Sequence, residues 1–340
     1  MKKILAILLA VRLTASSLFC LELERPEISI LKSLVDPLAI TQIVQTNYPF
    51  NEPVHCTILS IGINDMYLIE VGGEKYVFRL SRVEKCLTMT EEEFQFELEW
   101  LEFLNQHQVP VAYPIHRLDH QLCGLIQTPE GPRYTVLFSY AKGTTDLNVE
   151  QAFILGKALA QLHLVSDDFE TELDRVHLDL NQLIDSPLQQ IKDFFGDSYE
   201  KKYAFLDELA NELRKQIEAL DVRQFSYGII AGDLHGGNQH FTEKNRVTMF
   251  DFEFCAYGYR IYDIATFRWS RGADKEELWH AFLDGYQSIR SLSDSEIQAI
   301  DVFVKARNFW WMGLLLSLPE HRCALGDKFW KRALARFDPN

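Results

Sequence analysis

The sequence predicts an α+β fold of two lobes, a small β-rich N-terminal lobe followed by a larger and mainly helical C-terminal lobe. Two apolar runs, residues 66–71 and 75–80, flank a two-glycine turn and predict a β-hairpin. From residue 152 onward apolar residues recur mainly at helical spacing. Between these regions residues 140–145 (YAKGTT) include several small residues and follow a strand pattern, which predicts a hinge.

The hinge divides the chain into an N-terminal lobe, residues 28–142, and a C-terminal lobe, residues 143–340. Residues 1–27 are predicted to be an N-terminal extension or a signal-like segment, because two lysines precede an apolar run and small residues follow it. Arg12 interrupts the run after eight residues, so it is too short to span a bilayer. We therefore expect a cytoplasmic protein without a membrane span, and export or lipid anchoring is the alternative.

Four more elements are predicted in the N-terminal lobe. They are a helix over residues 28–45, a turn-forming loop over 60–65, a helix over 90–105 and a strand over 134–139. The second helix carries a carboxylate, Glu97, inside its apolar stripe. A buried carboxylate is costly without a cationic partner, and Arg79 on the preceding strand is the natural one. The alternative is a glutamate that is locally paired or reaches the solvent.

The C-terminal lobe is predicted to be helical, with two short strands beside the central loop. The helices are predicted at 152–165, within 186–220 and from 275 onward, and the strands at 227–231 and 247–250. We expect His163, on an apolar helix, to be a core histidine. The pair Trp310-Trp311 is also expected to belong to the core, in an apolar run too short to span a membrane.

The composition excludes some function classes. The chain has 340 residues, a formal net charge of −15 and a pI of about 5.1. Nucleic-acid binding requires clustered Lys and Arg, so this charge argues against it, whereas it is compatible with a cationic small substrate. The six cysteines are scattered without a C-x-x-C pair, which argues against a zinc site.

A carboxylate–amide–carboxylate series is the most informative motif. Asn238 follows Asp233 by five positions, and Asp251 follows Asn238 by thirteen. In kinases one Asp accepts or orients the acceptor hydroxyl, while an Asn and a second Asp hold the magnesium that bridges the nucleotide phosphates. The ordered set at this spacing predicts a phosphotransferase that uses ATP and Mg²⁺.

Residues 50–320 resemble the aminoglycoside phosphotransferase and choline kinase superfamily, which has a protein-kinase-like fold. The superfamily signature is matched by residues 231–238 (AGDLHGGN), 250–253 (FDFE) and 262–265 (YDIA). Residues 155–163 (LGKALAQLH) resemble the helix that follows the hinge. The resemblance implies the bilobal kinase fold and phosphoryl transfer to a hydroxyl.

The resemblance also implies a role for each motif residue. Asp233 would be the catalytic carboxylate, Asn238 and Asp251 the magnesium ligands, and Asp263 the brace of the catalytic loop. The remaining residues would bind the nucleotide: Arg79 (paired with Glu97) at the phosphates, Gly62 and Asn64 in a phosphate-covering loop, Tyr140 and Lys142 beside the adenine, and His235 near the γ-phosphate or packed under the loop.

The chain departs from the superfamily pattern at several positions. Ala231 stands where a His is usual, and Arg79 replaces the Lys of many kinases. The phosphate loop has a single glycine, Gly62. Glu253 could reach the metal or brace the site, and the sequence leaves both open.

The acceptor is expected to be a small molecule with a hydroxyl group, an amino alcohol or an aminoglycoside-like compound. Residues 251–263 are similar to the choline and ethanolamine kinase motif. Homoserine-type and sugar acceptors stay open. A protein Ser/Thr substrate is a further alternative, although only residues 252–263 separate Asp251 from the end of the next motif, which leaves no room for a long activation loop. Other classes are a nucleotide-binding pseudoenzyme and an exported binding module, and the sequence does not define the oligomeric state.

Overall fold

The computed structural model describes residues 28, 30–220, 223, 225–271, 275–322 and 325–337. The extension predicted at residues 1–27 lies outside them. The α+β class is confirmed, because a five-stranded antiparallel sheet is followed by a mainly helical region. The lobe boundary at residue 142 stays a prediction. None of the helices in the described residues is long and apolar enough to cross a membrane.

Helix α1 spans Pro37–Asn47 and begins nine residues later than the sequence predicted. The Asp36 side chain accepts a hydrogen bond from the Leu38 N–H, and proline occupies the first helical position. A proline disfavours helical geometry at the residue before it, so the helix starts at residue 37 instead of 28.

The sheet has the strand order β1-β2-β3-β5-β4. Its strands are β1 (His55–Ile61), β2 (Asp65–Val71), β3 (Glu74–Leu80), β4 (Gly124–Thr128) and β5 (Gly131–Ser139). The predicted hairpin is β2–β3, and its register pairs Asp65 with Leu80. The turn expected over residues 60–65 is confined to residues 62–64, because both flanking strands extend into it. Helix α1 packs on this sheet through a core that includes Ile40, Val44 and Phe78.

Two helices lie between β3 and β4. Helix α3 (Glu91–Gln106) follows the predicted bounds closely and starts at a capping box formed by Thr90 and Glu93. The shorter α2 (Val83–Thr88) was not predicted. The buried face of α3 presents Glu97 together with its apolar residues.

The chain from residue 149 onward is mainly helical. Its helices are α4 (Val149–Val165), α5 (Ser186–Phe195), α6 (Tyr199–Lys202), α7 (Phe205–Glu218), α8 (Ile261–Arg271), α9 (Glu276–Gln287), α10 (Asp294–Ser317), α11 (Pro319–Arg322) and α12 (Asp327–Ala335), with a π-helical turn at Asn181–Asp185. Its strands are β6 (Tyr227–Ile230), β7 (Gln239–Phe241), β8 (Val247–Met249) and β9 (Ala256–Tyr259). They pair as β6–β9 and β7–β8, and they hold the loops that carry the Asp233 and Asp251 motifs.

Candidate active site

A cavity of about 350 Å³ lies between the five-stranded sheet and residues 250–252. Leu59 and Val77 line it from the sheet, Tyr140 lines it after β5, and Asp251 lines it from the opposite side. Its walls are largely apolar, with a few charged side chains at one end. Such a combination suits a flat aromatic group joined to a charged one.

The charged end of the cavity contains the ion pair that the sequence predicted. Arg79 Nη1 and Nη2 donate to Glu97 Oε1 and Oε2 at 2.7 and 2.9 Å. Both side chains are at most 2% exposed. Burial alone would raise the pKa of Glu97, but the charges of Arg79 and Lys85 outweigh it and hold the pKa below its usual value.

The ion pair continues into a larger charge cluster that sequence reasoning missed. Lys85 Nζ lies 2.9 Å from Glu253 Oε2 and 3.9 Å from Glu97 Oε2. Arg82 Nη1 donates to the same Glu253 oxygen at 2.9 Å. Glu253 is therefore a carboxylate held by two cations, which keep its pKa below normal against the effect of burial. Of the two alternatives for Glu253, this geometry favours the brace.

Asp263 holds the loop that carries Asp233 in place. The backbone N–H groups of Ala231 and Gly232 donate to Asp263 Oδ2 and Oδ1 at 2.7 and 2.8 Å. His163 Nε2 lies 3.0 Å from Asp263 Oδ2, and His163 Nδ1 lies 2.8 Å from the Tyr286 hydroxyl. His163 is thus the satisfied core histidine that the sequence predicted, and Asp263 stands in the bracing position.

Gly232 is required by two features of the loop. Its φ is +77°, a left-handed conformation that residues with a Cβ rarely adopt. A Cβ at this position would lie 1.9 Å from the Phe254 carbonyl oxygen. The loop can therefore approach the segment after Asp251 only with glycine here.

Asp233 forms an ion pair with Arg307 of α10, in which Arg307 Nη2 donates to Asp233 Oδ1. The guanidinium carbon of Arg307 lies 4.2 Å from the ring centroid of Trp310 and 5.0 Å from that of Trp269. Burial raises the pKa of Asp233, and Arg307 opposes that shift. Trp310 is half-buried, packs against the hydrophobic core and covers Arg307.

Sequence reasoning also missed Arg307, although α10 carries a signal for it. Ile300, Phe303 and Arg307 share one buried face of this helix. A charge in an apolar stripe was the signal that identified Glu97, and it applies equally to Arg307. The sequence alone does not name its partner, which lies 74 positions away.

Asn238 and Asp251 are brought together by the backbone. The Asn238 side-chain amide donates to the Asp233 carbonyl at 2.9 Å, and the Phe250 N–H donates to the Asn238 carbonyl at 3.0 Å. The next residue, Asp251, has a φ of +65°, which is uncommon outside glycine and is frequent at functional sites. These contacts place the segments that carry Asp233, Asn238 and Asp251 next to one another.

The surroundings of Asp251 fit a bound cation. Its Oδ1 is buried and has no hydrogen-bond partner among the described residues. Burial, followed by the charge of Glu253, raises the pKa of Asp251 to about 7. A divalent cation would supply the missing positive charge, and carboxylate and amide oxygens are ligands that Mg²⁺ accepts. The described residues contain no cluster of three or more His, Cys, Asp or Glu that could hold a metal ion, so a metal here would take further ligands from phosphates or water.

The other predicted nucleotide residues occupy different positions. Tyr140 lines the cavity, whereas Gly62, Asn64 and Lys142 are not among its lining residues. Asn64 Oδ1 accepts from the Arg82 N–H at 3.2 Å, and the exposed Lys142 Nζ lies 3.8 Å from Glu74. A Cβ at Gly62 would meet only the Asn64 carbonyl, at 3.7 Å, so nothing in this conformation requires glycine.

His235 stabilises the loop from within. Its Nδ1 accepts a hydrogen bond from the Gly237 backbone N–H at 3.0 Å, and the backbone N–H of His235 donates to the Asp233 carbonyl at 2.7 Å. The first bond defines Nδ1 as the unprotonated nitrogen of the ring. His235 therefore takes part in shaping the loop, and its contact with a phosphate stays a prediction.

Known proteins resemble this chain in sequence. A model of the phosphotransferase enzyme family matches residues 56–294. An uncharacterized protein of Synechocystis sp. is 34% identical over 309 residues, which cover 88% of this chain and 84% of that protein. The homoserine kinase of Neisseria meningitidis is 27% identical over 74% of this chain and 79% of that protein.

Solved structures of small-molecule kinases share the fold. An amicoumacin kinase in complex with AMP-PNP, Ca²⁺ and Ami has a TM-score of 0.68 at 20% identity, covering 90% of this chain and 94% of that one. A microcompartment-associated aminopropanol kinase has a TM-score of 0.68 at 21% identity, covering 87% and 98%. The choline kinase LicA of Streptococcus pneumoniae has a TM-score of 0.63 at 13% identity, covering 89% and 99%. The family model confirms the predicted superfamily, and these structures share its fold.

Proposed function

This chain belongs to the phosphotransferase enzyme family, and on that premise we propose that it transfers the γ-phosphate of ATP to a hydroxyl group of a small molecule. One observation carries the proposal above the others. Asp233, Asn238 and Asp251 converge, and Asp251 presents a buried oxygen that lacks a partner among the described residues. That arrangement supports a metal–nucleotide complex beside a hydroxyl acceptor.

Asn238 and Asp251 are the residues that would hold Mg²⁺. Bound there, the ion would neutralise charge on the nucleotide phosphates. The amide nitrogen of Asn238 is used by the Asp233 carbonyl, so its Oδ1 is the atom left for a cation. Asp251, whose backbone is left-handed, is one of the residues that line the nucleotide cavity.

Arg79 would bind the α- and β-phosphates while Glu97 keeps it in place. The bidentate pair leaves the Arg79 Nε without a partner among the described residues. Tyr140 would flank the adenine from the end of β5, with Lys142 beside it. Gly62, Asn64 and His235 would act around the phosphates. The contacts described above give the least support to Asn64 at the phosphates and to Lys142 beside the adenine.

Asp233 would orient the acceptor hydroxyl and take up its proton. The oxygen–phosphorus bond to the acceptor forms as the bond to the β–γ bridging oxygen breaks, and ADP leaves. Because the transition state is loose, positioning and charge neutralisation contribute more than strong basicity. A carboxylate anchored by Arg307 is suited to this positioning task.

The acceptor would be an amino alcohol or an aminoglycoside-like compound. Support comes from the names of similar proteins, which include an aminopropanol kinase and an amicoumacin kinase. The net charge of −15 is compatible with a cationic acceptor. A protein Ser/Thr substrate is disfavoured by the short segment between Asp251 and Asp263.

An ADP-release screen tests this proposal. The purified chain is incubated with ATP and Mg²⁺ and with amino alcohols, aminoglycosides, hydroxy amino acids or sugars in turn. We expect acceptor-dependent ADP release with at least one class, and none when Mg²⁺ is chelated. Magnesium-dependent nucleotide binding without turnover of any acceptor would support the pseudoenzyme instead.

A further inference from the structure

The arginine that anchors Asp233 has few strong contacts of its own. Arg307 is 1% exposed, and its Nη2 donates to Asp233. Its Nη1 makes two longer hydrogen bonds, at 3.3 Å to the Tyr262 hydroxyl and at 3.4 Å to the Gly232 carbonyl. Its Nε has no hydrogen-bond partner among the described residues. The planar group of Arg307 is also in contact with aromatic rings, which therefore help to fix its direction.

One of these rings belongs to Trp269 of α8, which contacts a second arginine as well. Its ring centroid lies 5.0 Å from the guanidinium carbon of Arg307 and 4.0 Å from that of Arg336. Arg336 directly follows α12, and its guanidinium carbon also lies 5.4 Å from the ring centroid of Trp311. No ion pair or hydrogen bond of the Arg336 guanidinium is seen in the described part of the chain. Its contacts with the two indoles are therefore what joins this side chain to the rest of the molecule.

Asn308 of α10 connects Trp269 to the C-terminal helix by hydrogen bonds. The Trp269 Nε1–H donates to Asn308 Oδ1 at 3.3 Å, and Asn308 Nδ2 donates to the Ala333 carbonyl of α12 at 2.9 Å. Asn308 is completely buried, so water cannot replace a partner that is lost. The position of the Trp269 indole therefore depends on α12 as well as on its own helix.

These contacts are separate from the part of the chain that binds the nucleotide. Trp269, Arg307 and Arg336 are not among the residues that line the nucleotide cavity. The family model matches residues 56–294, so Arg307 and Arg336 both lie beyond it. A change at Trp269 or Arg336 should therefore leave nucleotide binding intact and act on the anchor of Asp233.

We propose that Trp269 is a positioning residue, which holds the Arg307 guanidinium against Asp233 during phosphoryl transfer. Arg336 supports Trp269 from the C-terminal end of the chain, so that α12 is needed for full turnover. This inference rests on the proposed function and adds residues that act through Arg307. A guanidinium contacts an indole through its flat face, which leaves the N–H groups at its edge free to bind a carboxylate.

Trp269→Leu tests the positioning role. The assay is ADP release with the acceptor that gives the highest activity in the screen. We expect kcat to fall about tenfold, within the range of a desolvated cation–π contact, with the KM for ATP unchanged. Trp269→Phe keeps a ring face but loses the N–H donor to Asn308, so its kcat should lie between the two. The control is Trp279→Leu, which removes an indole that lies 5.2 Å from another arginine, Arg268, and should keep the wild-type kcat.

A double-mutant cycle separates positioning from a general structural loss. Trp269→Leu is also made in an Arg307→Gln background, where no guanidinium is left for the indole to hold. We expect Trp269→Leu to lower kcat by about twofold or less in that background, because its effect passes through Arg307. A tryptophan with only a structural role would lower kcat by the same factor in both backgrounds.

Arg336→Gln tests the contribution of the C-terminal helix in a variant that should fold, because this side chain is exposed. We expect kcat to fall about threefold, the size of a cation–π contact at an exposed site, with the KM for ATP unchanged. This loss should disappear when Trp269 is already leucine. The matched control is Arg332→Gln, also exposed and on the same helix, which should keep the wild-type kcat.

The outcomes keep this inference apart from the proposed function. Wild-type kcat in Trp269→Leu, or an equal loss in both Arg307 backgrounds, overturns the inference and leaves the phosphotransferase intact. If Trp269→Leu does not fold, wild-type kcat in Arg336→Gln overturns it. A higher KM for ATP in place of a lower kcat overturns it as well. If no acceptor of any class supports ADP release, the proposed function fails, and this inference fails with it.

Discussion

Two buried arginines hold carboxylates in different parts of this molecule, and their settings differ. Arg79 on β3 binds Glu97 through two nitrogens, and both partners are almost completely buried. Arg307 on α10 is equally buried, but its partner Asp233 keeps a side-chain exposure of 14%. The first pair is a closed unit inside the N-terminal region. The second is an anchor that leaves its carboxylate accessible from the site.

The difference in exposure predicts that variants of the first pair mainly lose stability, whereas variants of the second mainly lose turnover. Removing a partner from the closed pair leaves a buried charge uncompensated, which destabilises the fold. Removing the accessible carboxylate leaves Arg307 facing the site, so the loss should fall on the reaction. Each variant below tests one side of this contrast.

Asp233→Asn should show the largest effect on activity. The amide keeps the shape of the side chain but cannot take up the hydroxyl proton, so kcat should fall by ~10²–10⁴. ADP release with the best acceptor measures this, and titration with ATP should show unchanged nucleotide affinity. Asp193→Asn, on the exposed side of α5, is the matched control. Wild-type turnover in Asp233→Asn would contradict the assignment.

Glu97→Gln should show the largest effect on stability. Breaking a buried ion pair by removing one partner costs about 3–5 kcal/mol of unfolding free energy. The control is Glu102→Gln on the same helix, where the partly exposed pair with His116 should contribute about 1 kcal/mol or less. Urea denaturation of the three proteins at neutral pH measures the difference.

The difference in unfolding free energy between the wild type and Glu97→Gln should depend on pH in a defined direction. The fold lowers the pKa of Glu97 from its model-compound value of 4.5, so its stabilising contribution is complete above that pH. As the pH falls through the lower pKa of the folded state, the contribution is lost. The unfolding free energies of the wild type and Glu97→Gln should therefore become more alike in acid. A difference between them that grows in acid would contradict the closed pair.

Arg307→Lys should have a smaller effect, confined to the reaction. Lysine keeps the charge next to Asp233 but loses the fork that also reaches the Gly232 carbonyl, at 3.4 Å. We expect kcat to fall about tenfold, the size of one hydrogen bond to a charged group, with the KM for ATP unchanged. Arg214→Lys, in an exposed pair with Asp185, is the control. A loss of ATP affinity would place Arg307 in the nucleotide site instead.

The two pairs also show what the sequence could predict. Glu97 and Arg79 are 18 positions apart on adjacent predicted elements, so periodicity identified the buried acid and topology identified its partner. Arg307 gave the same signal on α10, but its partner is 74 positions away and depends on the packing of helices that no local pattern defines.

The remaining misses have local causes. Helix α2 has six residues, too few to show helical periodicity, so Lys85 and its ion pairs were missed. Strands β7 and β9 have three and four residues, too few for their alternating burial to be recognised in the sequence. The sequence motif identified Asp251 as a candidate site residue. Its left-handed backbone depends on the surrounding loops and is not visible in the sequence.

Magnesium-dependent nucleotide binding tests the central claim most directly. Titration calorimetry with AMP-PNP, with and without Mg²⁺, is run on the wild type, on Asp251→Asn and on the surface control Asp193→Asn. The account predicts that Mg²⁺ tightens binding in the wild type and the control and that Asp251→Asn loses this dependence while still binding the nucleotide. An Asp251→Asn protein with the full magnesium dependence of the wild type would contradict it.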